Sequence, residues 1–219
     1  GYESFRPLQE EIIDQILEKK DVLALLPTGG GKSICYQLPA LVLDGLCIVV
    51  SPLIALMKDQ VDLLREKNIP TEMINSSLAK KDIDRILDNC IYGKIKLLYI
   101  SPERIQSPLF RERFKKMNIN FIAIDEAHCI SQWGYDFRPS YLKIVSLREL
   151  KPQVPFMALT ASATKKVILD IQEKLSFSKR NVIKQSFKRK NIHYKVITCE
   201  SKINSDIYIK YYYHYFSLF

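Results

Sequence analysis

No apolar run in the 219 residues reaches the ~18 needed to cross a bilayer, so no membrane-spanning helix is expected. Cysteine is scarce and shows no pairing pattern. The five thiols (Cys35, Cys47, Cys90, Cys129, Cys199) are odd in number, scattered and never spaced CxxC. That argues against a disulfide framework and against a zinc site, and leaves reduced thiols in packed positions. The opening residues Gly-Tyr-Glu-Ser-Phe-Arg-Pro lack the basic and apolar regions of a signal peptide, which sets the expectation of a cytoplasmic protein. No internal repeat is found. Acidic residues are nearly missing from one stretch: residues 165–195 carry ten basic side chains and two acidic ones.

The composition is globular, 47% hydrophobic and 26% charged, and the length suits one domain with room for a short extension. The net charge of +9 is concentrated in that basic stretch, since residues 1–164 balance 21 basic against 20 acidic side chains. A basic stretch attracts phosphate backbones, and a solvated helix face or linker carries the same charge.

Short β-branched runs alternate with helical segments. Strands are expected at Val22–Leu26, Leu46–Val50, Thr71–Asn75, Lys96–Ile100, Phe121–Ile124 and Pro155–Leu159. Between them lie amphipathic stretches such as Leu53–Lys67, with Leu56, Gln60, Leu63 and Leu64 at three-to-four spacing. Near-continuous apolar strands separated by helices imply a doubly wound α/β fold, a mainly parallel sheet covered by helices on both faces. The alternation stops near Ser178–Arg189, and Asn191–Thr198 reads as one strand of a further unit. Tyr208–Phe219 holds seven aromatics in twelve residues with no clear period, and nothing in the sequence explains it.

Two motifs carry chemistry. Strand Val22–Leu26 runs into Pro-Thr28-Gly29-Gly30-Gly31-Lys32-Ser33 and then into a helix. Glycine lets such a loop curl so that backbone N–H groups converge on a phosphate chain. Lys32 would meet the β/γ-phosphates, the Ser33 hydroxyl would ligate Mg²⁺, and the helix adds the positive end of its dipole. Leu26 stands where the strict pattern has its first glycine. The second motif, Phe121-Ile-Ala-Ile-Asp125-Glu126-Ala-His128, is an apolar strand ending in two acids. A carboxylate at a strand tip can hold Mg²⁺, here Asp125, and Glu126 can accept a proton from an attacking water.

With both motifs in place the chain resembles superfamily-2 helicases and, within them, the RecQ family, from Tyr2 to about Val196. Phe5-Arg6-Pro-Leu-Gln9 is similar to the family's motif 0, which implies that Gln9 pairs with the adenine edge while Arg6 and Tyr2 pack on the ring. Ser51-Pro-Leu-Ile-Ala-Leu-Met-Lys-Asp-Gln60 looks like motif Ia, and Tyr99-Ile-Ser101-Pro-Glu-Arg104 looks like motif Ib. The resemblance places Ser51, Ser101 and Arg104 on a DNA backbone. His128 completes the DEAH box. The segment after it, Cys129-Ile-Ser-Gln132-Trp133-Gly-Tyr-Asp-Phe137-Arg138-Pro139, resembles the aromatic-rich RecQ loop that senses single-stranded DNA. Trp133 and Phe137 would stack on bases, worth ~1–3 kcal/mol per base, while Gln132 belongs to the same loop and Arg138 would offer its cationic fork to phosphate. Tyr135 departs from the more polar residue expected there. Met157-Ala-Leu-Thr-Ala-Ser-Ala-Thr164 looks like motif III, and Ser186-Phe-Lys-Arg-Lys-Asn-Ile192 like the segment entering a second motor lobe, with Lys190 where the family often has proline.

The resemblance implies a RecA-like ATP-binding lobe over residues 1–185, with 186–219 starting a second lobe or linker. It implies ATP and Mg²⁺ as cofactors, single-stranded and forked DNA as partners, and 3′–5′ unwinding in DNA recombination and repair. The setting would be the bacterial nucleoid or the eukaryotic nucleus. A second RecA-like lobe with an arginine finger is expected in the full-length protein. Such a finger is worth ~10³–10⁵ in phosphoryl transfer, so this chain by itself should bind nucleotide with little turnover. Two other readings stand beside this one: a non-catalytic ATP- and nucleic-acid-binding module, and a DEAD/DEAH-type RNA helicase lobe, which would lack the Ser131–Arg138 loop.

Overall fold

The computed structural model describes residues 4–75 and 77–184. Tyr2, the expected strand at 191–198, the segment at 186–192, Cys199 and the aromatic tail at 208–219 lie outside the described residues.

Among the described residues seven strands form one sheet: β1 (Val22–Leu25), β2 (Leu46–Val50), β3 (Thr71–Ile74), β4 (Leu97–Ile100), β5 (Ile119–Ile124), β6 (Phe156–Thr160) and β7 (Val182–Lys184). They pair in parallel in the order β3-β4-β2-β5-β6-β1-β7. The helices between them are α1 (Gln9–Leu17), α2 (Lys32–Val42), α3 (Ile54–Glu66), α4 (Lys80–Tyr92), α5 (Pro108–Lys116), α6 (Ser146–Leu150) and α7 (Lys165–Lys174).

Alternate residues of each strand serve opposite faces, because successive Cβ atoms point to opposite sides of a sheet. Leu23, Leu25, Ile48, Val50, Leu98, Ile122 and Ile124 pack with Ile83 and Leu87 of α4, Phe110 and Phe114 of α5, and Val167 and Ile171 of α7. Val22, Ala24, Val49, Tyr99, Phe121, Ala123 and Leu159 pack with Ile12 and Ile16 of α1, Tyr36 and Ala40 of α2, and Met57, Val61 and Leu64 of α3. A parallel sheet buried on both sides is the architecture expected from the apolar strands.

Two details differ from the sequence reading. In α3 the buried stripe is Met57, Val61 and Leu64, while Leu56 and Leu63 are exposed. The i, i+4, i+7 spacing is present, displaced by one position from the stripe expected around Leu56 and Leu63. The second is β7, three residues long and set inside the stretch where alternation was expected to stop. Tertiary bonds hold the chain there: Leu23 N donates to Asn181 O, and Asn181 Nδ2 donates to Gln15 Oε1 and Asp21 O, each at 2.8–3.0 Å.

Asp21 secures the amino-terminal edge of the sheet. Its Oδ1 accepts from Phe156 N at 2.8 Å and from Arg148 Nη2 at 2.9 Å, and its Oδ2 accepts from Ser178 N at 3.2 Å. With that end pinned, the opposite, carboxyl ends of β1, β5 and β6 carry the candidate site.

Candidate functional site

The loop after β1 is built for close backbone approach. Leu26 is fully buried, and its N–H extends the pairing with β6 by donating to Thr160 O at 3.1 Å. A core role thus explains a leucine where the strict pattern has glycine. The chain turns through Thr28 and Gly29 at the exposed lip and enters α2 at Gly31, whose φ is +78°. A Cβ at Gly31 would displace the Gln9 amide nitrogen, and the positive φ is what requires glycine there. Lys32 and Ser33 open α2, half-buried, where the first N–H groups of a helix have no partner within it.

Gln9 and Arg6 meet this loop directly. Gln9 is 5% exposed. Its Oε1 accepts from Arg6 N at 2.8 Å, and its Nε2 donates to Gly31 O at 3.1 Å. Arg6 Nη1 donates to Gly29 O. Both side chains that the resemblance sets at adenine brace the glycine-rich loop, a role the sequence reading did not contain.

Across β6, the tip of β5 brings up the acids. Glu126 adopts a left-handed backbone, φ 48° and ψ 45°, uncommon for a non-glycine residue and a form of strain that clusters at functional sites. Glu126 N donates to Asp125 Oδ1 at 3.0 Å, and the buried Tyr141 hydroxyl donates to Asp125 O at 2.9 Å. Burial and then the charge of Glu126 push the Asp125 carboxyl from 3.8 up to about 6, opposed by the Glu126 N–H and by Lys32. Glu126 is held below its ordinary value, first by its hydrogen bond with His128. The two neighbouring carboxylates are thus driven apart by their surroundings.

Asp125, Ser33, Ser51, Tyr36 and Tyr99 line a small cavity of about 40 Å³. The Ser51 Oγ is buried and has no hydrogen-bond partner. An all-oxygen donor set with an orphaned hydroxyl and a high-lying carboxyl fits a hard cation such as Mg²⁺. His128, Cys129 and Asp136 also lie within metal-ligand reach of one another. There, however, Asp136 is ion-paired to Arg138 at 2.9 Å, and the Cys129 thiol is pushed up to about 12, chiefly by burial. That chemistry disfavours zinc.

His128 is buried, with Nδ1 at 2.9 Å from Thr160 Oγ1 and 3.2 Å from Glu126 Oε2. Thr160 Oγ1 donates its single proton to Ser162 O at 3.2 Å. It must therefore accept from His128, which fixes the proton on Nδ1.

The loop after the acids reaches solvent. Trp133 is 61% exposed, Gln132 is exposed and Phe137 is half-buried. The loop bends at Gly134, where a Cβ would lie 2.8 Å from His128 O and 3.1 Å from Ser131 O. Lys166 Nζ sits 3.1 Å from the Trp133 ring centroid, and Tyr135 stacks on His128 at 4.4 Å between centroids. Tyr135 thus covers a buried residue of the acid motif.

Four of the residues that the resemblance sets on DNA have these surroundings. Ser51 faces the cavity and Ser101 is buried, because each directly follows a fully buried strand. The Arg138 fork is engaged by Asp136 Oδ2, through Nε at 3.2 Å and Nη2 at 2.9 Å, and Nη1 donates to Pro52 O at 3.3 Å. Arg138 joins the aromatic loop to the segment after β2. Arg104 Nε donates to Asn75 O at 3.1 Å. Lys166 was not anticipated; it lies two residues past the motif III stretch, where spacing alone points to nothing.

Residues 6–171 match the family described as DEAD/DEAH box helicase. The chain is 46% identical over 197 residues to the ATP-dependent DNA helicase RecQ of Pasteurella multocida, covering 90% of this chain and 31% of that protein. It is 48% identical over 204 residues to the protein of the same name from Bacillus subtilis, covering 92% and 34%. The chain therefore spans about a third of the length of these relatives. The helicase domain of Pyrococcus furiosus Hef superposes with a TM-score of 0.62 at 20% identity, over 82% of this chain and 38% of that one, a likeness of fold.

Proposed function

The chain belongs to the DEAD/DEAH box helicase family, and from that premise we propose that it is the ATP-binding motor lobe of a RecQ-type DNA helicase. One observation carries the RecQ-type assignment: the Ser131–Arg138 loop, with an exposed Trp133, stands directly behind Asp125 and Glu126 and stacks Tyr135 on His128. A generic ATPase lobe has no need of a loop that exposes an indole while stacking its tyrosine on the histidine beside Glu126.

In this reading Lys32 and the first N–H groups of α2 bind the phosphates, and Ser33 with Asp125 would hold Mg²⁺. The cation, when bound, neutralises charge developing on the phosphates. Glu126 takes the proton of the attacking water, and Gln9 with Arg6 selects adenine. Similarity to proteins named ATP-dependent DNA helicase RecQ supports DNA as the polymer, and the basic charge of residues 165–195 agrees with it. Movement 3′–5′, forked substrates and roles in recombination and repair follow from the family resemblance. Residues 1–185 form the lobe and 186–219 lead toward a second one, whose arginine would complete the hydrolytic site.

The test is ATP hydrolysis with and without single-stranded DNA, on this chain and on a longer parent carrying a second lobe. The parent should be strongly stimulated by DNA and weakly by RNA, and this chain should bind ATP with little turnover. A parent indifferent to DNA, or one preferring RNA, overturns the reading.

A further inference from the structure

Lys166 is an unusual residue for its position. It is the second residue of α7, whose first turn carries Lys165 and Lys166 and no acid. The amino end of a helix is the positive end of its dipole, so a cation there is disfavoured and acids are preferred. Among the described residues no carboxylate forms a salt bridge with Lys166. Its ammonium instead lies 3.1 Å from the centroid of Trp133, over the face of the ring where the π-electron charge is negative.

The indole needs such a partner. Trp133 stands on a loop, 61% exposed, anchored locally by its own N–H donating to Ser131 Oγ at 3.2 Å. A side chain that exposed is free to turn about its two torsions unless something holds it, and ordering it on contact with a ligand costs binding energy. With the cation over one face, the ring presents its other face to solvent. The helix supplying the cation is in turn tied to the acids: Thr164 Oγ1 caps α7 by accepting from Val167 N at 3.3 Å, four residues after the Thr160 that receives His128.

We propose that Lys166 is a positioning residue for Trp133, a cation–π clamp that holds the indole ready to stack on a base of single-stranded DNA and joins the loop to α7. This rests on the reading of Trp133 as a base-stacking residue. The clamp is direct: Lys166 acts on DNA through the ring and not by touching phosphate.

Trp133 is the single tryptophan among the 219 residues, so excitation at 295 nm reports on this contact alone. In the full chain, Lys166→Met should shift the emission and raise acrylamide quenching, and Lys166→Arg should restore both. Titration with a fifteen-residue oligo-dT, followed by anisotropy of a dye on the DNA, should show Lys166→Met binding about two- to fivefold more weakly, as expected for losing an exposed cation–π contact of ~0.5–1 kcal/mol. The dependence on salt should be unchanged. In a Trp133→Leu background the Lys166→Met change should have no further effect. An effect of Lys166→Met that persists without the tryptophan, with a shallower salt dependence, would identify a phosphate ligand and overturn the proposal. Unchanged or tighter binding by Lys166→Met, or unaltered tryptophan emission, overturns it as well. If Trp133→Leu binds the oligonucleotide as tightly as the wild type, the stacking role itself is wrong, a result separate from any behaviour of Lys166.

Discussion

His128 Nδ1 donates to Thr160 Oγ1 across 2.9 Å, and the same nitrogen lies 3.2 Å from the Glu126 carboxylate. The acid segment after β5 and the end of β6 are therefore joined through one imidazole. Thr160→Val keeps the shape and removes the acceptor, leaving a buried N–H with the carboxylate alone. The variant should lose ~1–3 kcal/mol of stability and, in a two-lobe parent, most DNA stimulation, with Thr160→Ser restoring both. Thermal melts and ATPase rates check this, and unimpaired stimulation in Thr160→Val would show that the bond is dispensable.

Lys32→Ala should abolish Mg·ATP binding while moving Tm by no more than a surface substitution does, ~0.5 kcal/mol or less. Lys32 is half-buried and forms no salt bridge among the described residues, so its charge serves the loop. A fluorescent ATP analogue titrated against both proteins decides; equal affinity would dismiss the phosphate role.

Asp125→Asn should make the protein more stable at neutral pH and less able to bind nucleotide with Mg²⁺. Burial pushes the Asp125 carboxyl from 3.8 to about 6, so the folded chain holds a proton there that the unfolded chain releases. Stability from this group is complete below about pH 4 and declines as pH rises through about 6. Asparagine can still accept the Glu126 N–H and does not titrate. Its advantage should grow between pH 4.5 and pH 7.5 to the order of 2 kcal/mol. Denaturant titrations at the two pH values measure it, and an advantage independent of pH would contradict the assignment.

Trp133→Ala should cost under ~1 kcal/mol, because the ring is mostly exposed, whereas a core tryptophan would cost ~3–5 kcal/mol. In a two-lobe parent basal ATP turnover should persist and DNA stimulation should collapse. A large fall in Tm with stimulation intact in the folded fraction would make Trp133 a packing residue and overturn its stacking role.

Asp21→Ala should be the most damaging of these changes to the fold, ~3–5 kcal/mol, since it strands a half-buried Arg148 and two backbone donors. Urea denaturation checks it; a cost under 1 kcal/mol would mean that solvent replaces the carboxylate.

The strands and the two motifs at their tips were legible because each depends on local pattern: continuous apolar runs, a glycine triplet before a helix, paired acids after a strand. The contacts that join them were not. Nothing near Asp21 in the chain announces that Arg148, Phe156 and Ser178 converge on it, and Asn181 secures β7 through partners more than 150 residues away. The stripe of α3 was displaced because Met57, Val61 and Leu64 repeat at the same spacing as Leu56, Gln60 and Leu63, and only the packing partner decides. Motif likeness names Ser51 and Ser101 without giving their burial, which follows from the buried strands before them.

The contact between Gln9 and Gly31 leaves no room for a methyl group, although the two residues are twenty-two positions apart. Neither position is therefore free to drift alone. A larger residue at 31 would push the amide aside, and a shorter one at 9 would take from the Gly31 carbonyl the donor that ties the loop to α1, leaving it only the donors of α2. Among descendants of this sequence the pair should persist or be replaced together, so that a binding loop and a helix start are inherited as one unit.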